Sequence, residues 1–150
     1  MDTDTDGLAP LLFLKGIWDG EGLGPYGPYK LEAKVELRGR WLLLTSAILD
    51  PKSNEVTYVS TQVYGYDDDG PLLHYFDTAG SFAFKGKQTD DGLLFDWKDG
   101  KNWKRSQYWS EAGGKIRFRY ESVYPTGGSE LFEGHWVHRN APTQEVRDAA

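Results

Sequence analysis

Hydrophobic and polar residues alternate one for one along Lys30–Arg38, where Leu31, Ala33, Val35 and Leu37 are interleaved with Lys30, Glu32, Lys34, Glu36 and Arg38. This is the pattern of a strand with one wet face. Gly39 interrupts it, and Trp41–Asp50 resumes as a more apolar segment of the kind that is covered on both faces. Pro51–Asn54 then turns the chain. Further strands are predicted at Gly16–Leu23, Glu55–Tyr66, Leu72–Asp77, Ser81–Gln88, Gly92–Lys98, Asn102–Ser110, Lys115–Tyr124 and Ser129–Arg139. The breaks between them carry Asp69-Gly70-Pro71, Ala79-Gly80, Asp91-Gly92, Asp99-Gly100, Gly113-Gly114 and Gly127-Gly128, the chemistry of tight hairpin turns. Helical period is nowhere sustained beyond one turn over Leu8–Leu14.

About ten consecutive antiparallel strands joined by hairpins predict an all-β protein. Closing the meander on itself removes both sheet edges, so the expected fold is a closed up-and-down antiparallel barrel of about ten strands. An even strand number places the last strand beside the first. Eight strands already make room for one small ligand, and ten leave more. The expected organisation is a flexible acidic tail over residues 1–10, the barrel over 11–139 and a second tail over 140–150.

The start of the first strand, Gly16-Ile-Trp18-Asp-Gly20-Glu21-Gly22, resembles the G-x-W opening of the calycin superfamily, which includes lipocalins and fatty-acid-binding proteins. It is most similar to the G-x-W-x-G-E-G of nitrobindin-like barrels. Gly39-Arg40-Trp41 and Gly65-Tyr66-Asp67 are similar to segments of uncharacterised bacterial lipocalin-like domains. The resemblance implies a structural barrel floor in which Trp18 packs against Arg139 from the last strand, a cation–π contact. It also implies haem held by a single histidine near the C-terminal end, but the residues around such a ligand are not matched here.

Composition narrows the function classes. Seventeen Lys+Arg against twenty-three Asp+Glu leave a net charge of −6, the wrong sign for binding a phosphate backbone, so nucleic acid is not an expected partner. The chain has no cysteine, which removes disulfides and thiolate chemistry. No signal-peptide pattern and no long apolar run predict a cytoplasmic protein without a membrane span. Asp2, Asp4, Asp6 and Gly7 imitate the first half of a calcium loop, but its twelfth position is Phe13 where a bidentate Glu is required. Gly22-Leu-Gly24-Pro-Tyr-Gly27 spells a dinucleotide fingerprint but leads into a strand, with no helix N-terminus to hold a pyrophosphate. No metal or cofactor is expected on these grounds, haem being the alternative that the resemblance raises. Aromatic residues are 15% of the chain although its mean hydropathy is −0.61. So many rings in so polar a chain either fill a core or line a cavity.

Strand parity proposes which residues line it. On Asn102–Ser110, Trp103, Arg105, Gln107 and Trp109 share a face that reads as a pocket wall, with Arg105 as a specificity residue. The alternative is an exposed Arg lying along an outward Trp. On Lys115–Tyr124, Ile116, Phe118, Tyr120, Ser122 and Tyr124 are expected to point inward. On Glu55–Tyr66, Tyr58, Ser60, Gln62, Tyr64 and Tyr66 oppose Thr57, Val59, Thr61 and Val63, and hydrophobicity does not separate inside from outside. Gly20, Gly22 and Gly24 share one face of the first strand and leave room for a ligand or a neighbouring ring. An inward Arg139 would bring Leu131, Glu133, His135 and Val137 inside and leave Trp136 and His138 out. His135 is then an acid/base or haem-ligand candidate, and His74, alternating with Leu72 and Phe76, is a second inward candidate.

The expected ligand-binding set is Tyr58, Gln62, Tyr64, His74, Trp103, Arg105, Gln107, Trp109, Phe118, Tyr120 and His135. The expected function is to hold a small amphipathic or aromatic molecule in the barrel. The alternatives are an isomerase-, lyase- or cyclase-type enzyme using Arg105, Tyr120, His135 or His74, and haem binding through His135.

Overall fold

The computed structural model describes residues 6–78 and 80–139. Ten strands follow an N-terminal 3-10 helix: β1 (Gly16–Gly24), β2 (Gly27–Arg38), β3 (Trp41–Leu49), β4 (Val56–Asp67), β5 (Gly70–Asp77), β6 (Gly80–Gln88), β7 (Gly92–Asp99), β8 (Asn102–Glu111), β9 (Lys115–Val123) and β10 (Ser129–His138). Each pairs antiparallel with the next, and β10 pairs with β1, so the sheet is a closed barrel with no exposed edge. This is the closed up-and-down antiparallel barrel expected from the strand count and turn spacing.

The helix Asp6–Leu14 contains Pro10 and places Leu8, Leu11 and Leu14 three residues apart. With three residues per turn, that spacing stacks the leucines along one line. All three are buried, at 1% exposure or less, and the helix lies across one end of the barrel against β4, β5 and β7. Residues 6–10, read from sequence as part of an acidic tail, therefore belong to the folded unit because Leu8 is anchored in the core. Residues 1–5 and 140–150 lie outside the described residues, so the rest of that tail and all of the second one are not placed.

Trp18, Val35, Leu42, Leu73, Leu93, Phe95, Ile116 and Trp136 are buried with the leucines and help to close this end. The Trp18 indole N–H donates to the Leu14 carbonyl at 2.7 Å, which ties the helix to β1. The expected Trp18–Arg139 floor is not formed. Trp18 pairs across the strands with His138, and directly opposed residues share a face of the sheet. The His138 ring therefore packs edge-on against Trp18 at 4.9 Å, while Arg139 points outward to the carboxylates of Asp19 and Glu32. β1 runs close to its neighbours because its glycines permit it. A Cβ on Gly20 would lie 2.8 Å from the Trp136 ring and one on Gly24 2.9 Å from the Phe132 ring, so these positions make room for neighbouring rings.

Candidate functional site

The other end of the barrel is open. A cavity of about 760 Å³ runs down from the β1–β2, β3–β4 and β9–β10 turns to Tyr108 and Trp136, above the closed end. Volumes of this order are typical of small-ligand sites.

β4 supplies a polar stripe along one wall. Tyr58, Ser60, Gln62 and Tyr64 point inward, and Val59 on the opposite face is 51% exposed. The interior positions are thus the more polar ones, which settles the face that hydrophobicity left open. Their polar atoms are joined in a chain. Tyr108 donates to Tyr64 at 2.6 Å, because the Tyr64 proton goes to Gln62 Oε1 at 2.7 Å. Gln62 Nε2 donates to Ser60 at 3.2 Å, and Ser60 meets Ser46 at 2.8 Å. Nearer the mouth, Tyr58 donates to Asp77 Oδ2 at 2.5 Å and is in close contact with the Tyr75 hydroxyl.

Rings supply the rest of the wall. Phe118 and Trp136 lie 5.5 Å apart on β9 and β10, Tyr120 packs against Phe132, and Phe82 meets Trp97 edge-on at 4.9 Å. Burial raises the hydroxyl pKa of Tyr75 and Tyr29 to about 12 and also raises those of Tyr108 and Tyr120, so these groups act as neutral hydroxyls and not as bases.

The cavity's ammonium group is on Lys104. Its Nζ donates to Ser122 Oγ at 3.0 Å and sits 4.8 Å from the centre of the Phe82 ring and 5.8 Å from that of Tyr124. Burial lowers its pKa, and the negative charges of Asp77 and Glu130 oppose that shift. Among the described residues, no carboxylate lies within ion-pair distance of it.

Of the residues expected at the site, Tyr58, Gln62, Phe118 and Tyr120 line the cavity, and Tyr64 lies fully buried beneath it. The face assigned to β8 is reversed. Tyr108 pairs with inward Phe118, so Asn102, Lys104, Ser106 and Tyr108 face the interior. Trp103, Arg105, Gln107 and Trp109 lie on the outer face, with Trp103 also touching the cavity rim. Arg105 pairs with Asp96 at 2.8 Å and covers Trp103, while Arg117 stacks 4.0 Å from the centre of the Trp109 ring. The arginines shield outward indoles, the alternative that the sequence left open.

β10 is reversed in the same way. Phe132, Gly134 and Trp136 point inward, opposite Tyr120, Phe118 and Ile116. Leu131, Glu133 and His135 are exposed, and His135 lies 3.5 Å from Glu111 on the outer surface. His74 is exposed because its neighbours Leu73 and Tyr75 take the interior positions of β5. The acid–base set of Arg105, Tyr120, His135 and His74 is therefore not assembled at one place, Tyr120 alone reaching the cavity. Haem on an internal histidine does not fit this arrangement either, because none of the three histidines lines the cavity. Among the described residues no group of three or more His, Asp or Glu side chains is placed to hold a metal ion, and no helix is long and apolar enough to cross a membrane.

Lys104, Ser106, Tyr75, Phe82 and Trp97 are site residues that parity reasoning missed. Counting across the Gly113-Gly114 hairpin from inward Ile116 would have identified the two on β8, since Ile116 pairs with Ser110 and so fixes the interior face. Comparison with known protein families and with functionally characterised proteins finds no match to this chain.

Proposed function

We propose that this protein binds one small amphipathic or aromatic molecule inside the barrel. The observation that carries this reading is the cavity of about 760 Å³, open at one end and walled by rings on one side and by a hydrogen-bonded polar stripe on the other. A solid barrel of this strand number would place bulky side chains where Ser46, Ser60 and Ser106 stand. Those small residues leave the volume free. Such a lining favours a ligand with flat apolar surface and a few polar atoms.

N-phenyl-1-naphthylamine, whose emission rises in apolar surroundings, provides the test. Saturable binding at one molecule per chain is expected, with quenching of the wall indoles Trp97 and Trp136. Ser106→Trp, which puts an indole into the cavity, should abolish binding while the circular dichroism of the barrel is retained. No saturable binding to the wild-type protein, or equal binding to the filled variant, would overturn the proposal.

A further inference from the structure

The hydrogen-bonding groups around the cavity are unevenly spent. The hydroxyls of Tyr58, Ser60 and Ser46 and the Gln62 amide are engaged with one another or with Asp77. The carboxylates at the mouth are also engaged: Asp50 accepts from the Lys52 and Ser53 amides, Asp77 from Tyr58 and the Gly80 amide, and Glu130 from Tyr124 and Tyr26. Two side chains are left with unspent donors. The Trp136 indole N–H is buried and meets no acceptor, although the ring lines the cavity. Lys104 has three N–H donors and spends one on Ser122.

A partly buried ammonium with one neutral hydroxyl partner is costly unless something compensates its charge. The rings of Phe82 and Tyr124, with the more distant carboxylates of Asp77 and Glu130, offset part of that cost. They leave the remaining donors without acceptors. The cavity thus lacks an acidic acceptor within hydrogen-bonding reach of Lys104, with Asp77 and Glu130 acting on it only from farther away.

We infer that the ligand is an aromatic oxyanion, a flat ring system whose carboxylate or equivalent acidic group pairs with Lys104 while its rings lie against Phe118 and Trp136. This rests on the proposed binding of a small molecule in the cavity and names its chemical class. Lys104 stands on β8 two inward positions nearer the mouth than Tyr108, so the anion sits toward the open end and the rings go in first.

Two probes that differ in a single group separate this inference from the reading beneath it: 8-anilinonaphthalene-1-sulfonate and N-phenyl-1-naphthylamine, the same ring system with and without the oxyanion. In the wild-type protein the sulfonate should bind about tenfold tighter, the effect of one charge-assisted contact in a partly buried site. Lys104→Met should remove that advantage and leave the neutral probe's affinity unchanged, and Lys104→Arg should restore part of it. Should Lys104→Met fail to fold, Lys104→Gln carries the same comparison. The inference is overturned if the neutral probe binds the wild-type protein as tightly as the sulfonate, or if the sulfonate's advantage survives loss of the ammonium. If neither probe binds the wild-type protein, it is the cavity-binding proposal that fails.

Discussion

The two ends of the barrel are built from the same ten strands to opposite purposes. At the closed end, each inward position carries a side chain that meets another: Leu8, Leu11, Leu14, Trp18, Leu42 and Leu73 are all at 3% exposure or less. At the open end the inward positions combine aromatic rings with serines, tyrosine hydroxyls, Gln62 and one lysine, and they surround space. The closed end buries apolar area that holds the barrel together, at roughly 25 cal/mol per Å². The open end gives up that burial. What it gains is a set of oriented hydroxyls and a cation held in a site of low polarity, a combination that stabilises a bound molecule more than it stabilises the fold.

This contrast can be broken from either side. Trp18→Ala removes the hydrogen bond to Leu14 and the packing against Trp136 and His138, so it should lower stability by about 3–5 kcal/mol in chemical denaturation. Arg139→Ala, by comparison, removes only exposed ion pairs with Asp19 and Glu32 and should leave the denaturation midpoint unchanged within error. A large effect at Arg139, comparable with that at Trp18, would restore the floor that the family resemblance implied.

A smaller, pH-dependent effect belongs to the cavity wall. Burial raises Tyr29 and Tyr75 to about 12, above the value near 10 of an unfolded chain. Between those values the folded state holds protons that the unfolded state has released, so stability declines as pH rises from about 10 toward 12. Denaturant titrations across that range should show the decline, and absorbance at 295 nm should show tyrosines that ionise late. Tyrosines that all ionise near pH 10 in the folded protein would show that the wall is wetter than described.

The strand boundaries were legible because they depend on local chemistry. Asp-Gly and Gly-Gly pairs mark hairpins, and each expected strand lies within about two or three residues of an observed one. The closure followed from strand number. The inward faces of β1 and β9 were also legible, from glycine spacing on one and the aromatic series Phe118–Tyr120 on the other. The faces of β8 and β10 were not, and for one reason: a shift of a single residue exchanges inside for outside along a whole strand.

On β8 the two indoles made the outer face look like the interior, because Trp103 and Trp109 are covered by arginine side chains rather than by the core. On β10 the implied contact between Trp18 and Arg139 set the parity one residue too far along. The β4 wall shows the limit of hydrophobic reasoning most plainly, since Gln62 is inside and Val59 is out. A cavity wall does not need to be apolar when its polar groups satisfy one another. The site therefore becomes visible only through cross-strand register, which passes from the unambiguous β9 to its neighbours on both sides.

Hydrogen–deuterium exchange with and without saturating N-phenyl-1-naphthylamine tests the central claim most directly, because it reports where along the barrel a ligand sits. The account predicts slowed exchange in the mouth segments around Pro25–Pro28, Leu49–Tyr58 and Val123–Glu130, and no change in the helix Asp6–Leu14. Protection confined to that helix, or to the outer surface around Trp103, Arg105 and Trp109, would contradict it.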